Sequence, residues 1–261
     1  MCGRFPVLTF DELREVVDNL VFGTAFVPLP DWPLGTWPAG RDQAFPGSVV
    51  RVIAPASSDV SDGSDSRGDF DGANYYAVRG DDDLALSTPQ LTWGVTAPWK
   101  PGQLVFNTRI ETALRDCERN GGMWGSAIAD ARCVVASAGF FEPHATEREV
   151  SATSGKLIKR SYMFGIPGGQ PLLMGGLVRD GRFTVVTTQP NASVSPVHNR
   201  MPLVLSPDEA RQWLWGSVDD VAALDNRERI ELVVRPEREI ASVAKDRGVD
   251  SKRGRDQLTL F

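Results

Sequence analysis

Leu172-Leu173-Met174-Gly175-Gly176-Leu177 and Phe183-Thr184-Val185-Val186-Thr187-Thr188 are short apolar or β-branched runs with turn residues between them, and they read as neighbouring strands. Similar pieces stand earlier in the chain at Tyr75–Val78, Leu84–Ser87, Cys133–Ser137 and Tyr162–Ile166, and a β-branched run covers 49–53. Their close spacing predicts a mainly antiparallel sheet. Helical patterns are fewer. Thr9 with Glu12 forms a capping-box pattern, and Phe10, Leu13, Val16, Val17 and Leu20 then recur at helical spacing, which predicts a helix over 10–21. Two more are expected at Glu111–Arg119 and Pro207–Trp215, the latter with Pro in the first turn and Asp208 and Glu209 near the positive helix end. The fold class expected is α+β, with strands predominating.

A chain of 261 residues with 41% apolar content can bury a substantial core, and one domain over 1–235 accounts for it. Residues 56–74 are dominated by Ser, Asp and Gly and read as a disordered insertion, and 236–261 reads as a loose tail. No apolar run approaches the roughly 20 residues of a membrane helix, and no signal-peptide core follows Met1, so a cytoplasmic, monomeric protein is expected. Cys2, Cys117 and Cys133 are too few for a disulfide framework, and with two histidines no zinc spacing can be assembled, so neither metal nor cofactor is expected. The net charge of −6 argues against a surface coated in basic residues, so any nucleic-acid site must be a local basic cleft.

Loss of Met1 would leave Cys2 with a free α-amine beside its thiol. A thiol near pKa 8.5 is only about 3% thiolate at pH 7, but the thiolate is strongly nucleophilic and the amine is partly neutral. Amine attack on an aldehyde gives an imine, and the thiol then closes a five-membered thiazolidine. Alone, Cys2 reads more readily as a small residue tucked under the first helix.

Three internal segments change that balance: Phe106-Asn107-Thr108-Arg109-Ile110-Glu111-Thr112, Ala138-Gly139-Phe140-Phe141-Glu142 and Pro196-Val197-His198-Asn199-Arg200-Met201-Pro202. With Met1-Cys2-Gly3-Arg4-Phe5, Trp93-Gly94-Val95-Thr96-Ala97-Pro98-Trp99 and Phe183–Thr188, in this order, the chain resembles the SOS-response-associated peptidase (SRAP) family over roughly residues 1–215. The resemblance implies a single domain with a barrel-like, mainly antiparallel core and flanking helices. It also implies that the protein acts on abasic sites in single-stranded DNA. Cys2 would be the nucleophile that crosslinks to the abasic aldehyde, and its exposure by loss of Met1 gives the family its peptidase label.

By the same resemblance Asn107 holds the cysteine amine and the sugar, Glu142 shuttles protons and His198 is the catalytic histidine. Arg4, Arg109 and Arg200 would contact backbone phosphates as guanidinium forks. Trp93, Trp99 and Trp37 offer stacking surfaces for unpaired bases, although tryptophans in short strands are usually core. Glu142 can equally be a structural salt-bridge partner, and His198 a hydrogen-bonded core histidine. Two positions depart from the family pattern: Pro143-His144 follows the motif glutamate where Trp is usual, and Asn199 follows the motif histidine where Asp is usual. Two other readings remain. One is an N-terminal-nucleophile amidotransferase, which leaves the His198 motif without a role; the other is a damaged-DNA reader that does not crosslink.

Overall fold

The computed structural model describes residues 2–29, 41–56, 76–80, 84–151, 153–224 and 230–237. Strand Arg182–Thr188 is the hub of its main sheet. On one side it runs antiparallel to Leu172–Arg179 through the turn Asp180-Gly181, and that strand in turn pairs antiparallel with Arg132–Ser137. On the other side it runs parallel to Gln90–Trp93 and, further along, to Asn107–Arg109. The sheet is therefore mainly antiparallel, with two parallel pairings that local spacing does not announce. Where Leu172–Arg179 and Arg182–Thr188 splay apart, strands Met201–Pro202 and Val204–Leu205 fill the gap, pairing with one and then the other. This wedge brings the chain just after His198 against the hub.

The barrel-like closure expected from the sequence is not found among the described residues. The main path ends at Arg132–Ser137 and at Val49–Arg51, and beyond it Ile53 meets Val134 in an isolated bridge in place of a ladder. The mixed α+β class stands, with several separate sheets.

Both faces of the sheet are covered, which explains why the central strands Leu172–Arg179 and Arg182–Thr188 are buried on both sides along most of their length. Leu173, Leu177 and Val186 point into a cluster with Trp213 and the apolar stripe Leu13, Val16, Val17 and Leu20 of helix Phe10–Phe22. That helix starts at the capping box of Thr9 and Glu12 and stops at Gly23, whose φ of 69° suits glycine. Met174, Phe183 and Val185 point the other way, into a cluster with Phe5, Trp93, Phe140, Phe164 and Cys2. The candidate nucleophile thus belongs to the aromatic side. Helices Ile110–Glu118 and Pro207–Trp215 form as expected, whereas Gly125–Asp130 and Val218–Ala223 are short helices without a sequence signal strong enough to foresee.

The chain start is pinned beside the site. Phe5–Pro6 pairs with Gln43–Ala44, the Ser137 hydroxyl donates to the Pro6 carbonyl, and Phe141 N–H donates to the Arg4 carbonyl at 3.0 Å. A second sheet of Phe140–Val150, Leu157–Gly165 and Val233–Pro236 carries Glu142 at its inner end, opposite Tyr162. Gly139 allows this approach: a Cβ there would fall 2.3 Å from the Phe164 carbonyl oxygen. Strand Val233–Pro236 spans the position expected as the domain end, and Glu237 just beyond it contacts Arg4. The proposed insertion (from 57 onward) and the tail (from 238) lie outside the described residues. Among the described residues no helix is long and apolar enough to cross a membrane.

Candidate functional site

Cys2 is wholly buried. Its carbonyl accepts a 2.7 Å hydrogen bond from Asn107 Nδ2, and its thiol lies 3.8 Å from the Arg4 carbonyl. Asn107 is delivered by the parallel strand Asn107–Arg109, whose register on Val185 to Thr187 fixes how far the amide reaches. The Asn107 Oδ1 is buried and finds no hydrogen-bond partner among the described residues, so it remains an available acceptor beside the cysteine. Burial pushes the Cys2 thiol far above the ordinary cysteine range, and the Glu142 charge adds to this.

Glu142 is also wholly buried. Burial raises its carboxyl from the ordinary range to about 7, against the opposing pull of the positive amino terminus. A carboxyl group in that range exchanges its proton near neutral pH. His198 sits in the turns between Thr188 and Met201. The Ala145 N–H donates to the Val197 carbonyl, and Asn191 braces the loop by accepting from Val194 N–H and donating to the Ile230 carbonyl. The Arg200 backbone presents both a carbonyl (3.0 Å) and an N–H (3.1 Å) to His198 Nδ1. Either tautomer is therefore satisfied at Nδ1 without moving the ring. Burial holds His198 below its ordinary value; the bond to the Arg200 carbonyl works against this, and the amino terminus and Lys159 reinforce it. Burial therefore favours the neutral imidazole.

The arginines differ. Arg109 is exposed. Arg200 is not a surface fork: it is buried, donates to both Glu111 carboxylate oxygens at 2.7 and 3.0 Å, and donates to the Thr187 carbonyl at 2.7 Å. Its guanidinium thus ties the hub strand and the start of helix Ile110–Glu118 to the His198 loop, which corrects the expected phosphate contact. Arg4 is partly open, lies 4.0 Å above the Phe141 ring, and is held by Glu237 and Ser161.

The tryptophans separate in the same way. Trp93 has no exposure: it packs on Phe5 and Phe183, and its indole N–H donates to the Phe106 carbonyl at 2.8 Å. It belongs to the core and offers no stacking face, because its strand position points it between the chain start and the hub strand. Trp99, in the turn after Ala97, is 66% exposed. Trp37 lies outside the described residues. Cys133 is buried and Cys117 half-buried. After Pro143, His144 packs near Tyr162 and its Nδ1 accepts the N–H of Glu147 at 3.0 Å. Asn199 is exposed.

Ser161, Glu237, Glu111 and Asn191 were not foreseen from the sequence. Their partners lie far away in the chain or on the backbone, and only Glu111 falls inside a motif.

The model of the SOS response associated peptidase (SRAP) family matches residues 1–245. The chain belongs to the SRAP family. This SRAP chain is 23% identical over 228 residues to the abasic site processing protein YoaM of Bacillus subtilis, covering 82% of this chain and 79% of that one. It is 24% identical over 223 residues to YedK of Escherichia coli, also an abasic site processing protein, covering 82% and 79%. Among solved structures, a phage-related protein from Bordetella bronchiseptica superposes with a TM-score of 0.54 at 22% identity, covering 90% of the SRAP chain and 93% of its own, a likeness in fold. The amidotransferase reading gains nothing from these matches.

Proposed function

We propose that this chain processes abasic sites in single-stranded DNA by covalent capture on Cys2. The observation that carries this reading is the convergence on one residue of a backbone fixed by Asn107 and of a carboxyl group, Glu142, whose proton exchanges at about pH 7. The relatives' shared name, abasic site processing protein, supports it.

In this mechanism Met1 is removed, by an aminopeptidase or by the chain itself, and the new α-amine places its positive charge beside the thiol, which opposes the effect of burial. The abasic sugar opens to its aldehyde as neutral His198 takes the C1′ hydroxyl proton and returns a proton to the ring oxygen. The Cys2 amine gives a proton to Glu142 and adds to the aldehyde as the free base; Glu142 then returns the proton to the departing hydroxyl, water leaves, and the iminium passes its N–H proton back to Glu142 to give an imine. The thiol then adds across the C=N bond, its proton passes to nitrogen, and a thiazolidine closes. Reversal runs through the same imine. Elimination of the 3′ phosphate from the imine is the competing lyase reaction, and ring closure suppresses it. Exposed Arg109 and Trp99 are suited to a phosphate and an unpaired base.

One observation favours a second reading, a reader that binds damaged strands without crosslinking: the Cys2 thiol is wholly buried and held protonated. Both readings are separated by mixing the purified protein with single-stranded DNA carrying one abasic site, followed by a denaturing gel and intact mass. The crosslinking reading expects a heat-stable adduct on a chain lacking Met1, lost in Cys2→Ala, with weak strand cleavage in its place. Binding without an adduct, on a chain shown to have lost Met1, rejects it in favour of the reader.

A further inference from the structure

Arg4 stands two residues from the nucleophile, and its planar fork is already occupied by an anion. Nη1 donates to Glu237 Oε1 at 2.8 Å, Nη2 donates to Oε2, and the same Nη2 reaches Ser161 Oγ at 3.2 Å. The guanidinium lies 4.0 Å over the Phe141 ring, and the Arg4 carbonyl accepts from the Phe141 N–H, which fixes the backbone from which the fork projects. A carboxylate gripped through both oxygens presents the same pair of acceptors as two oxygens of a phosphodiester. Unlike the buried Arg200 pair, this one is open to water, with side-chain exposures of 23% and 33%. It can therefore exchange.

We infer that Glu237 is an internal competitor for the phosphate contact that the family resemblance implies for Arg4: it occupies that position, beside Ser161, in the free protein and must be displaced for a strand to bind. This rests on the proposed function in taking DNA as the ligand. Glu237 lies immediately beyond strand Val233–Pro236, which pairs with Leu157–Gly165 through Tyr162↔Pro236, so one strand of chain positions both the competitor and, on its neighbour, the Ser161 hydroxyl. Displacement needs only rotation of the Glu237 side chain. The cost of releasing Glu237 is subtracted from the binding of every strand, so this competition selects ligands that offer a well-placed phosphate at Arg4 over weaker anions.

The test is equilibrium binding, by fluorescence anisotropy, of single-stranded DNA without any abasic site, so that no covalent step enters. Glu237→Ala is expected to tighten binding about 3- to 5-fold, the scale of an exposed ion pair released. Ser161→Ala is expected to weaken binding, and Arg4→Ala to weaken it more. In the Arg4→Ala background, Glu237→Ala is expected to give no gain. Asp180→Asn, which removes an exposed negative charge on a turn, serves as the control for overall charge. An equal gain from Glu237→Ala with and without Arg4, or a gain matched by Asp180→Asn, overturns the competition and reduces the effect to general electrostatics. Wild-type binding that Glu237→Ala leaves unchanged overturns this inference alone. Failure of every form, wild type included, to bind DNA overturns it together with the proposed function.

Discussion

Glu111 and Glu142 are both carboxylates of the sequence motifs that carry the family resemblance, and their proton affinities move in opposite directions. Glu111 opens helix Ile110–Glu118 with a half-exposed side chain; burial alone would raise it, but the hydrogen bonds and charge of Arg200 outweigh burial and hold it below the usual carboxylate range. Glu142 is wholly buried, and burial takes it up to about 7. Environments that push two acids apart assign them different work. Glu111 is a permanent anion whose task is to fix Arg200 and, through the Arg200 backbone, His198. Glu142 can give and take a proton near neutral pH.

The largest effect expected from breaking this contrast comes from Glu142→Gln. With the native value raised above the unfolded one, stability from this group is fully present below about pH 4.5 and is lost as pH rises through about 7, because the folded state holds a proton that the unfolded chain releases. A shift of that size corresponds to on the order of 3 kcal/mol. Urea unfolding at pH 5 and pH 8 should show the wild type losing stability across this window relative to Glu142→Gln, which carries no titrating group there. A constant difference between the two proteins would mean that Glu142 is not held protonated by burial.

Arg200→Ala should follow, at about 2 kcal/mol, because it leaves the Thr187 carbonyl without its charged donor, while Glu111 returns partly to water and softens the loss. The measured quantity is the urea midpoint with an unchanged slope. Glu111→Gln probes the same pair from the other side, with the opposite sign of pH dependence from Glu142. A depressed carboxylate contributes stability above its unfolded value and loses it as pH falls through the folded one, so the deficit of Glu111→Gln should be present at pH 7 and fade toward pH 3. Since Glu111 is about half exposed, that deficit is under about 1 kcal/mol. A deficit that grows in acid would sink the account of Glu111 as a fixed anion.

The two acids were not equally legible in the sequence. Glu142 stands in a motif whose aromatic neighbours announce a buried carboxyl group with raised proton affinity, whereas the roles expected of Cys2, Asn107 and His198 rested on the family resemblance. The role of Arg200 was not legible. A guanidinium in a polar motif reads the same whether it faces a phosphate or an internal carboxylate, and the difference lies in the parallel pairing of Asn107–Arg109 with the hub strand, which sets Glu111 against it. Trp93 and Trp99 were likewise indistinguishable in one motif, since only the three-dimensional path of the chain start puts Phe5 over one of them and leaves the other in water. Strand Phe140–Val150 continues through His144, Thr146, Glu147 and Arg148 with no apolar alternation, because beyond Glu142 it leaves the core. Glu237 pairs with Arg4 across 233 residues, a separation no local pattern can encode.

The smallest effect should come from the outer pair, and its smallness is informative. Arg4 and Glu237 make a two-pronged contact like that of Arg200 and Glu111, so a count of hydrogen bonds would rank the two pairs together. Depth separates them. When an exposed pair is cut, each charge regains water, and such pairs contribute about 0.2–1 kcal/mol at most. Arg4→Ala and Glu237→Ala should each move the urea midpoint by an amount within that range, and the double variant should lose no more than the larger single one if the pair is the whole of the interaction. A loss from Arg4→Ala comparable to that from Arg200→Ala would instead make Arg4 part of the frame through its contact with Phe141, and the exchange of Glu237 for a phosphate would then have to leave that contact intact.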